Sequence, residues 1–257
     1  MPLLRATLLS LAVVLLIAPA SVVLASRTQA REQWARARDV VRLLLSGNLK
    51  KALWALEYRM HSSSTSLGLR RDLTVPFTGP SAKVPFVVRP LSPSDDLSAL
   101  DPRTPGISSE EMYWRLAQQR LLQSGLRTCY VAIGPDGKPC FMQWVVLSSD
   151  NDRLRSTFGN LYPTLAPDEA LLEGAFTPET SRGLGVMSAA MAQIAQRAAD
   201  GGARWVITFV DESNVASVKG CLRAGFAPYV KRREKFRLFR RQVSFASIQP
   251  DGTPSKT

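Results

Sequence analysis

The sequence is poor in the residue types that commonly carry acid–base, metal and redox chemistry. Its 257 residues contain one histidine, His61, and three cysteines, Cys129, Cys140 and Cys221, without a Cys-x-x-Cys spacing. An odd set of widely spaced cysteines predicts neither a disulfide framework nor a metal site, and it agrees with a reducing compartment. His61 lies in a serine-rich stretch, where a surface position is commoner than a catalytic one. We therefore expect no metal and look for chemistry elsewhere.

Acidic residues are also scarce relative to basic ones. There are 33 Lys and Arg against 21 Asp and Glu, a net charge of +12 and a pI of about 10.2. Such a balance indicates an anionic partner, which could be coenzyme A, a phosphorylated substrate, a lipid surface or nucleic acid. No nucleic-acid motif accompanies the charge, so we expect no nucleic acid. With 45 % hydrophobic and 21 % charged residues, the chain is globular rather than disordered.

One long stretch near the start carries no charge. Residues 6–25 are as long as the roughly 20 residues that cross a bilayer as a helix. A cleaved signal peptide is the alternative, since Val23-Leu24-Ala25 precedes Ser26, and a wrongly chosen start codon is another. Only Arg5 precedes the stretch, whereas these arginines follow it: Arg27, Arg31, Arg36, Arg38 and Arg42. The positive-inside rule then predicts a single-pass membrane protein whose C-terminal side is cytoplasmic.

Composition and hydrophobic spacing divide the rest of the chain. The predicted segments are an anchor or signal over 1–26, juxtamembrane helices over 27–60, a Ser/Thr/Gly/Pro-rich linker over 61–83, a folded domain over 84–243 and a disordered tail over 244–257. Strands are predicted at 84–90, 129–133, 141–147, 171–177, 205–210, 227–231 and 235–244. Helices are predicted at 94–100, 108–124, 151–158 and 187–199, with a further short helix after Asn214.

The most informative motif is the turn Pro-Glu-Thr-Ser-Arg-Gly-Leu-Gly-Val-Met at residues 178–187. It lies between a predicted strand and a predicted helix, so several backbone N–H groups point the same way at the positive end of the helix dipole. Gly183 and Gly185 would let a ligand approach the backbone closely. Such a turn favours the binding of phosphate groups.

The order of elements after this turn narrows the interpretation. A buried strand, Trp205–Val210, leads to Asn214-Val-Ala-Ser217, a short helix and Gly225-Phe226. Together with the Arg-Gly-Leu-Gly turn, this resembles the GCN5-related N-acetyltransferase (GNAT) superfamily. The resemblance covers about 84–243 and is specific within 171–226. It implies an α+β fold with a mixed, mostly antiparallel sheet flanked by helices, with acetyl-coenzyme A as co-substrate.

The resemblance also implies roles for particular residues. The cofactor-binding positions would be Phe176, Thr177, Arg182, Gly183, Leu184, Gly185, Val186, Asn214 and Ser217. Two positions depart from the family pattern. Thr180 stands where a Gln or Arg is usual, and Cys221 stands where many members carry the tyrosine that protonates the leaving thiolate.

Two residues are candidates for catalysis. Glu173 lies on the strand before the turn and is the predicted general base, with Asp168 and Glu169 as upstream alternatives. Cys221 is the candidate acid by its place in the motif, although a buried, inert thiol is the commoner outcome.

These features predict transfer of an acyl group, acetyl in the first instance, from acyl-coenzyme A to an amine at the cytoplasmic face of a membrane. The acceptor would be a small molecule or an envelope precursor. Two alternatives stay open at this point: a non-catalytic acyl-coenzyme A sensor or scaffold, and a transferase that uses aminoacyl-tRNA.

Overall fold

A computed structural model describes residue 41 and residues 49–126, 128–238 and 240–248 of the chain. The predicted anchor, most of the juxtamembrane region and residues 249–257 lie outside these residues. Within the described part, no helix has the length and apolar character needed to cross a membrane. The chain divides into two units. Unit 1 comprises Met1–Ser64, Arg155–Tyr162 and Glu234–Val243, and unit 2 comprises Thr65–Leu154, Pro163–Arg233 and Ser244–Thr257.

An eight-stranded mixed sheet forms the framework. Its strands in chain order are β1 His61–Asp72, β2 Val87–Pro90, β3 Cys129–Ile133, β4 Pro139–Leu147, β5 Glu169–Phe176, β6 Trp205–Asp211, β7 Ala227–Arg237 and β8 Arg240–Ser247. They lie in the order β2-β3-β4-β5-β6-β1-β7-β8. The β5–β6 pair is parallel, whereas β2–β3, β3–β4, β4–β5 and β1–β6 are antiparallel. The predicted mixed, mostly antiparallel sheet is therefore confirmed.

The described residues form five helices of eight residues or more, and two of these begin with a side-chain cap. They are α1 Leu49–Met60, α2 Ser109–Gln123, α3 Asn151–Phe158, α4 Val186–Asp200 and α5 Val215–Arg223. The Glu111 N–H donates to Ser108 Oγ at 3.0 Å and so caps α2. In the same way, the Ser217 N–H donates to Asn214 Oδ1 at 3.0 Å and caps α5. Each side-chain oxygen satisfies one of the N–H groups that a helix start leaves unpaired.

The core of unit 2 lies between the sheet and α4. This helix is rich in alanine, and its buried face includes Ala190, Ile194 and Ala198. They pack with strand residues such as Phe141 and Leu172 in one hydrophobic cluster. Small side chains let the helix approach the sheet closely, so the position of its first turn is set by core packing.

The predicted linker is wrong over residues 61–72, which form β1. Seven register pairs join β1 to β6, from Ser66↔Asp211 to Asp72↔Trp205. Sequence analysis missed this strand because its serines and charges look solvated. In the structure Arg71 is 6 % exposed, and its Nη1 donates to Ala192 O and Ala224 O, both at 3.2 Å. A buried arginine thus stands where the hydrophobic pattern required an apolar residue, and burial lowers its pKa.

Other boundaries also differ from expectation. The first strand of the predicted domain begins at Val87 rather than 84, and within 94–100 only Ser98–Leu100 is helical, as one 3₁₀ turn. The break between the closing strands falls after Arg237, where Leu238 has φ 48°, and not at 232–234. Strand β8 continues to Ser247, so the predicted tail is wrong over 244–247.

Within unit 1, the turn region of the closing hairpin contacts α1. The Leu238 N–H donates to Met60 O at 3.0 Å, and the rings of Tyr58 and Phe236 lie 5.9 Å apart between centroids. Arg241 donates to the carbonyl oxygen of Phe158, whose ring packs edge-on against Tyr162.

The burial of β1 predicts that a truncated side chain in this strand lowers the free energy of unfolding. Leu69 is 0 % exposed in the core cluster, so Leu69→Ala should lower the free energy of unfolding by about 2–5 kcal/mol. Val75, in the same predicted linker, is 59 % exposed. The Val75→Ala substitution should therefore change the free energy of unfolding by less than about 0.5 kcal/mol. Urea denaturation of both variants checks this. Equal effects would contradict a buried β1.

Candidate active site

A β-bulge interrupts the pairing of β4 with β5. Trp144 pairs with Glu173 and Met142 with Phe176, so Gly174 and Ala175 together face the single residue Gln143. Gly174 has φ +65°, and a Cβ at this position would lie 2.5 Å from Leu121 Cδ1. Glycine is therefore required both by the backbone conformation and by the close approach of α2.

The same stretch of β5 separates from β6 on its other side. Parallel pairing runs from Glu169↔Trp205 to Leu172↔Thr208 and stops there, although both strands continue. At the last pair, Thr208 Oγ1 donates to Leu172 O at 3.0 Å. Beyond it, the described residues include no strand partner for this edge of Gly174–Phe176. The result is a gap in which an extended ligand could take up the backbone hydrogen bonds.

The turn after β5 ends at the start of α4. Gly183 and Gly185 have φ +75° and +77°, and Gly185 is the N-terminal residue flanking α4. It supplies no side-chain cap, and the first turn of α4 contains no acidic residue. The Gly185 backbone is bordered by Ser81 and Ala82, since a Cβ there would lie 3.4 Å from Ser81 O. Gly183 is exposed and has nothing within 4 Å of such a Cβ.

Arg182 bridges this turn to α2. Its Nε donates to Thr177 O at 3.2 Å and its Nη2 to Glu111 Oε2 at 3.3 Å. Glu111 also binds Arg115, one helical turn along α2. The Arg182 side chain is 51 % exposed, so this ion pair is weak and leaves the guanidinium free to reorient.

The predicted carboxylates occupy different ends of β5. Glu173 is half-buried, directly before the bulge, and its pairing with Trp144 places it on the face of the sheet covered by α2. Glu169 lies at the other end, where its Oε2 accepts the Ala166 N–H at 2.9 Å. The Asp168 carbonyl accepts the N–H groups of Arg204 and Trp205. The geometry therefore leaves Glu173 as the candidate nearest the gap.

The motif residues on α5 have structural contacts. Asn214 and Ser217 form the cap described above, which does not exclude a ligand contact by either residue. Cys221 is 1 % exposed, lies in the core cluster, and has its Sγ 3.7 Å from Met191 Sδ. Burial raises the pKa of this thiol to about 12. The structure thus favours the interpretation of Cys221 as a buried, inert thiol.

Sequence analysis did not identify two glutamines at the bulge. Gln118 on α2 donates from Nε2 to Gly174 O at 3.2 Å, while Gln143 on β4 faces the bulged residues directly. The signal for Gln143 was present, because it is the one strongly polar residue within the apolar run Phe141–Leu147. Its meaning depends on the bulge, which the one-dimensional pattern does not reveal.

Comparisons with known proteins find similarity to solved structures. No protein-family model matches the chain, and no curated protein does. Among solved structures, it is similar to a GNAT-family acetyltransferase from Colwellia psychrerythraea (16 % identity, TM-score 0.42, 74 % of this chain and 61 % of that one). It is also similar to a GCN5-related N-acetyltransferase from Sphaerobacter thermophilus (18 % identity, TM-score 0.41, 72 % and 56 %). The chain thus spans less than two thirds of either protein.

The burial of the cysteines predicts their reactivity. Cys129, Cys140 and Cys221 are all buried, and burial raises the pKa of each thiol, to about 12 for Cys129 and Cys221. A raised pKa keeps the unreactive neutral form at about pH 8, whereas an exposed thiol has a pKa near 8.5. Iodoacetamide should therefore label the native protein at least about 10²-fold more slowly than the unfolded protein. Mass spectrometry measures both rates, and rapid native labelling of Cys221 would restore it as a reactive thiol.

Proposed function

We propose that this protein is an acyl-coenzyme A-dependent N-acyltransferase that transfers an acyl group, acetyl in the first instance, to an amine. The observation that carries the proposal is that three features lie within one stretch of chain. The bulge at Gly174, the loss of pairing to β6 after Leu172 and the uncapped start of α4 at Gly185 follow one another directly. They offer an extended slot that ends at an anion site.

The anion site would hold the pyrophosphate of coenzyme A. Backbone N–H groups at the start of α4 lack a side-chain cap, and the helix dipole favours negative charge there. This chemistry needs no basic side chain, which is why Thr180 in place of Gln or Arg does not argue against it. Arg182 would add a positive charge if it left Glu111.

The slot would hold the pantetheine arm and the thioester. An extended arm in the gap would hydrogen-bond to the unpaired edge of β5, as a neighbouring strand would. Backbone N–H groups near Phe176 and Thr177 would then receive the thioester carbonyl. Fixed dipoles aimed at the developing oxyanion stabilise it without reorganisation.

The reaction also requires movement of protons. A free amine has a pKa near 10 and is mostly protonated at neutral pH, so a base is needed before the nitrogen attacks the thioester carbon. Glu173, beside the bulge, would take that proton directly or through water. As the C–N bond forms and the C–S bond breaks, the leaving thiolate would be protonated by solvent, since Cys221 is confined to the core.

Gly183 provides a charge-specific test of phosphate binding. It is exposed with open space around it, and Asn and Asp tolerate its positive φ better than other side chains. Gly183→Asp should weaken binding of acetyl-coenzyme A by on the order of tenfold or more through repulsion of phosphate. Gly183→Asn has nearly the same shape without the charge, so it should lose much less. Calorimetry compares the two, and equal affinities would reject the anion site. Gly185 is the poorer choice, because a side chain there meets Ser81.

Catalysis is tested by comparing Glu173 with Cys221. An amine screen with the full chain, following release of coenzyme A, would identify a working acceptor. With that acceptor, Glu173→Gln should lower turnover by on the order of 10²-fold and change the pH profile. Cys221→Ala should leave turnover close to that of the original protein. A reversal of these effects, with acyl-coenzyme A binding intact in both variants, would make the thiol the acid.

The same screen distinguishes an enzyme from a sensor. Binding of acetyl-coenzyme A without release of coenzyme A in the presence of any amine would favour the non-catalytic alternative. The position at the cytoplasmic face of a membrane is a proposal that rests on residues 6–25 and the arginines after them.

A further inference from the structure

The buried amide of Gln143 has no explanation within the described protein. The residue is 1 % exposed, yet neither its Nε2 nor its Oε1 has a hydrogen-bond partner among the described residues. Across the bulge, Gln118 Oε1 is also buried without such a partner, although its Nε2 is bound to Gly174 O. Buried polar groups are nearly always paired, so the two orphaned atoms of Gln143 point to a group that completes them.

The position of Gln143 relates it to the slot. It faces Gly174 and Ala175, the first residues of β5 beyond the pairing with β6. Its neighbours two positions away on β4, Phe141 and Val145, lie in the core cluster with α4. Gln143 therefore lies on the α4 side of the sheet, at the level where β5 leaves β6. Of the two residues between it and the gap, Ala175 has only a methyl group, and a side chain at Gly174 would point to the α2 side, away from Gln143.

The chemistry of a free carboxamide defines what would complete it. Gln143 offers two N–H donors and one carbonyl acceptor, a set complementary to another amide or to a carbonyl with a nearby N–H. If this residue had only a structural role, leucine or methionine would give a more stable fold, because neither leaves a buried polar group without a hydrogen bond. A glutamine at this position therefore favours a role that the folded chain alone does not require.

We propose that Gln143 binds a polar group of the acyl–pantetheine arm. Its Nε2 donates to a carbonyl oxygen of the ligand, and its Oε1 accepts an N–H where the ligand group is an amide. This inference rests on the proposed function and adds a binding residue from β4 to a slot otherwise formed by backbone. The carbonyl belongs either to a pantetheine amide or to the acyl group, and the two sources give different results below.

The test separates ligand binding from stability. Gln143→Met keeps a similar volume and removes both polar ends. It should raise the thermal unfolding midpoint of the free protein, or leave it unchanged, while weakening binding of acetyl-coenzyme A by on the order of tenfold. The matched control is Gln119→Met on α2, whose Nε2 donates to Leu100 O at 3.3 Å. That variant should keep the original affinity without any rise in the unfolding midpoint.

Titration with coenzyme A and with acetyl-coenzyme A assigns the contact. Equal losses for both ligands in Gln143→Met indicate a pantetheine amide, whereas a loss for acetyl-coenzyme A alone indicates the acyl carbonyl. Unchanged affinity for both overturns the inference and leaves the proposed function intact. A loss of affinity with a lowered unfolding midpoint also overturns it, because Gln143 is then structural. If the original protein binds neither ligand, both proposals fail.

Discussion

The candidate site depends on one interruption in the hydrogen bonding of the sheet. β5 is paired on both sides as far as Leu172, and then loses β6 on one side and bulges away from β4 on the other. This geometry requires glycine at position 174, because the φ of +65° and the contact with α2 both exclude a side chain. A backbone edge left unpaired within a sheet is costly unless something else completes it. The proposed slot, the proposed oxyanion donors and the level of Gln143 all depend on this single feature.

The second constraint is the packing of α4. Its alanine-rich face lies against the sheet, so the first turn of the helix is fixed by the core rather than by the loop before it. The glycines of the turn can therefore remain without side-chain caps while the N–H groups keep their direction. The direction of these N–H groups is fixed by burial along the whole helix, from Val186 to Ala198.

Much of this architecture could be predicted from local patterns. The strand at 169–176, the helix from Val186 and the caps at Ser108 and Asn214 all carry signals in neighbouring residues. What could not be predicted depends on partners distant in sequence. Arg71 looks solvated until its carbonyl partners, one in α4 and one at the end of α5, are known, so the sequence predicts a linker where β1 lies. Gln143 acquires its meaning only opposite a bulge, and Cys221 only in the core beside Met191.

The contacts of Arg71 have a consequence for motion. One nitrogen of this buried guanidinium is bonded both to Ala192 O within α4 and to Ala224 O at the end of α5. Separating the two helices would leave a charge in the interior with fewer hydrogen bonds, which is strongly unfavourable. The pair therefore behaves as one rigid block. A ligand bound at the turn would meet α4 and α5 as a single unit, and its binding would not require the two helices to separate.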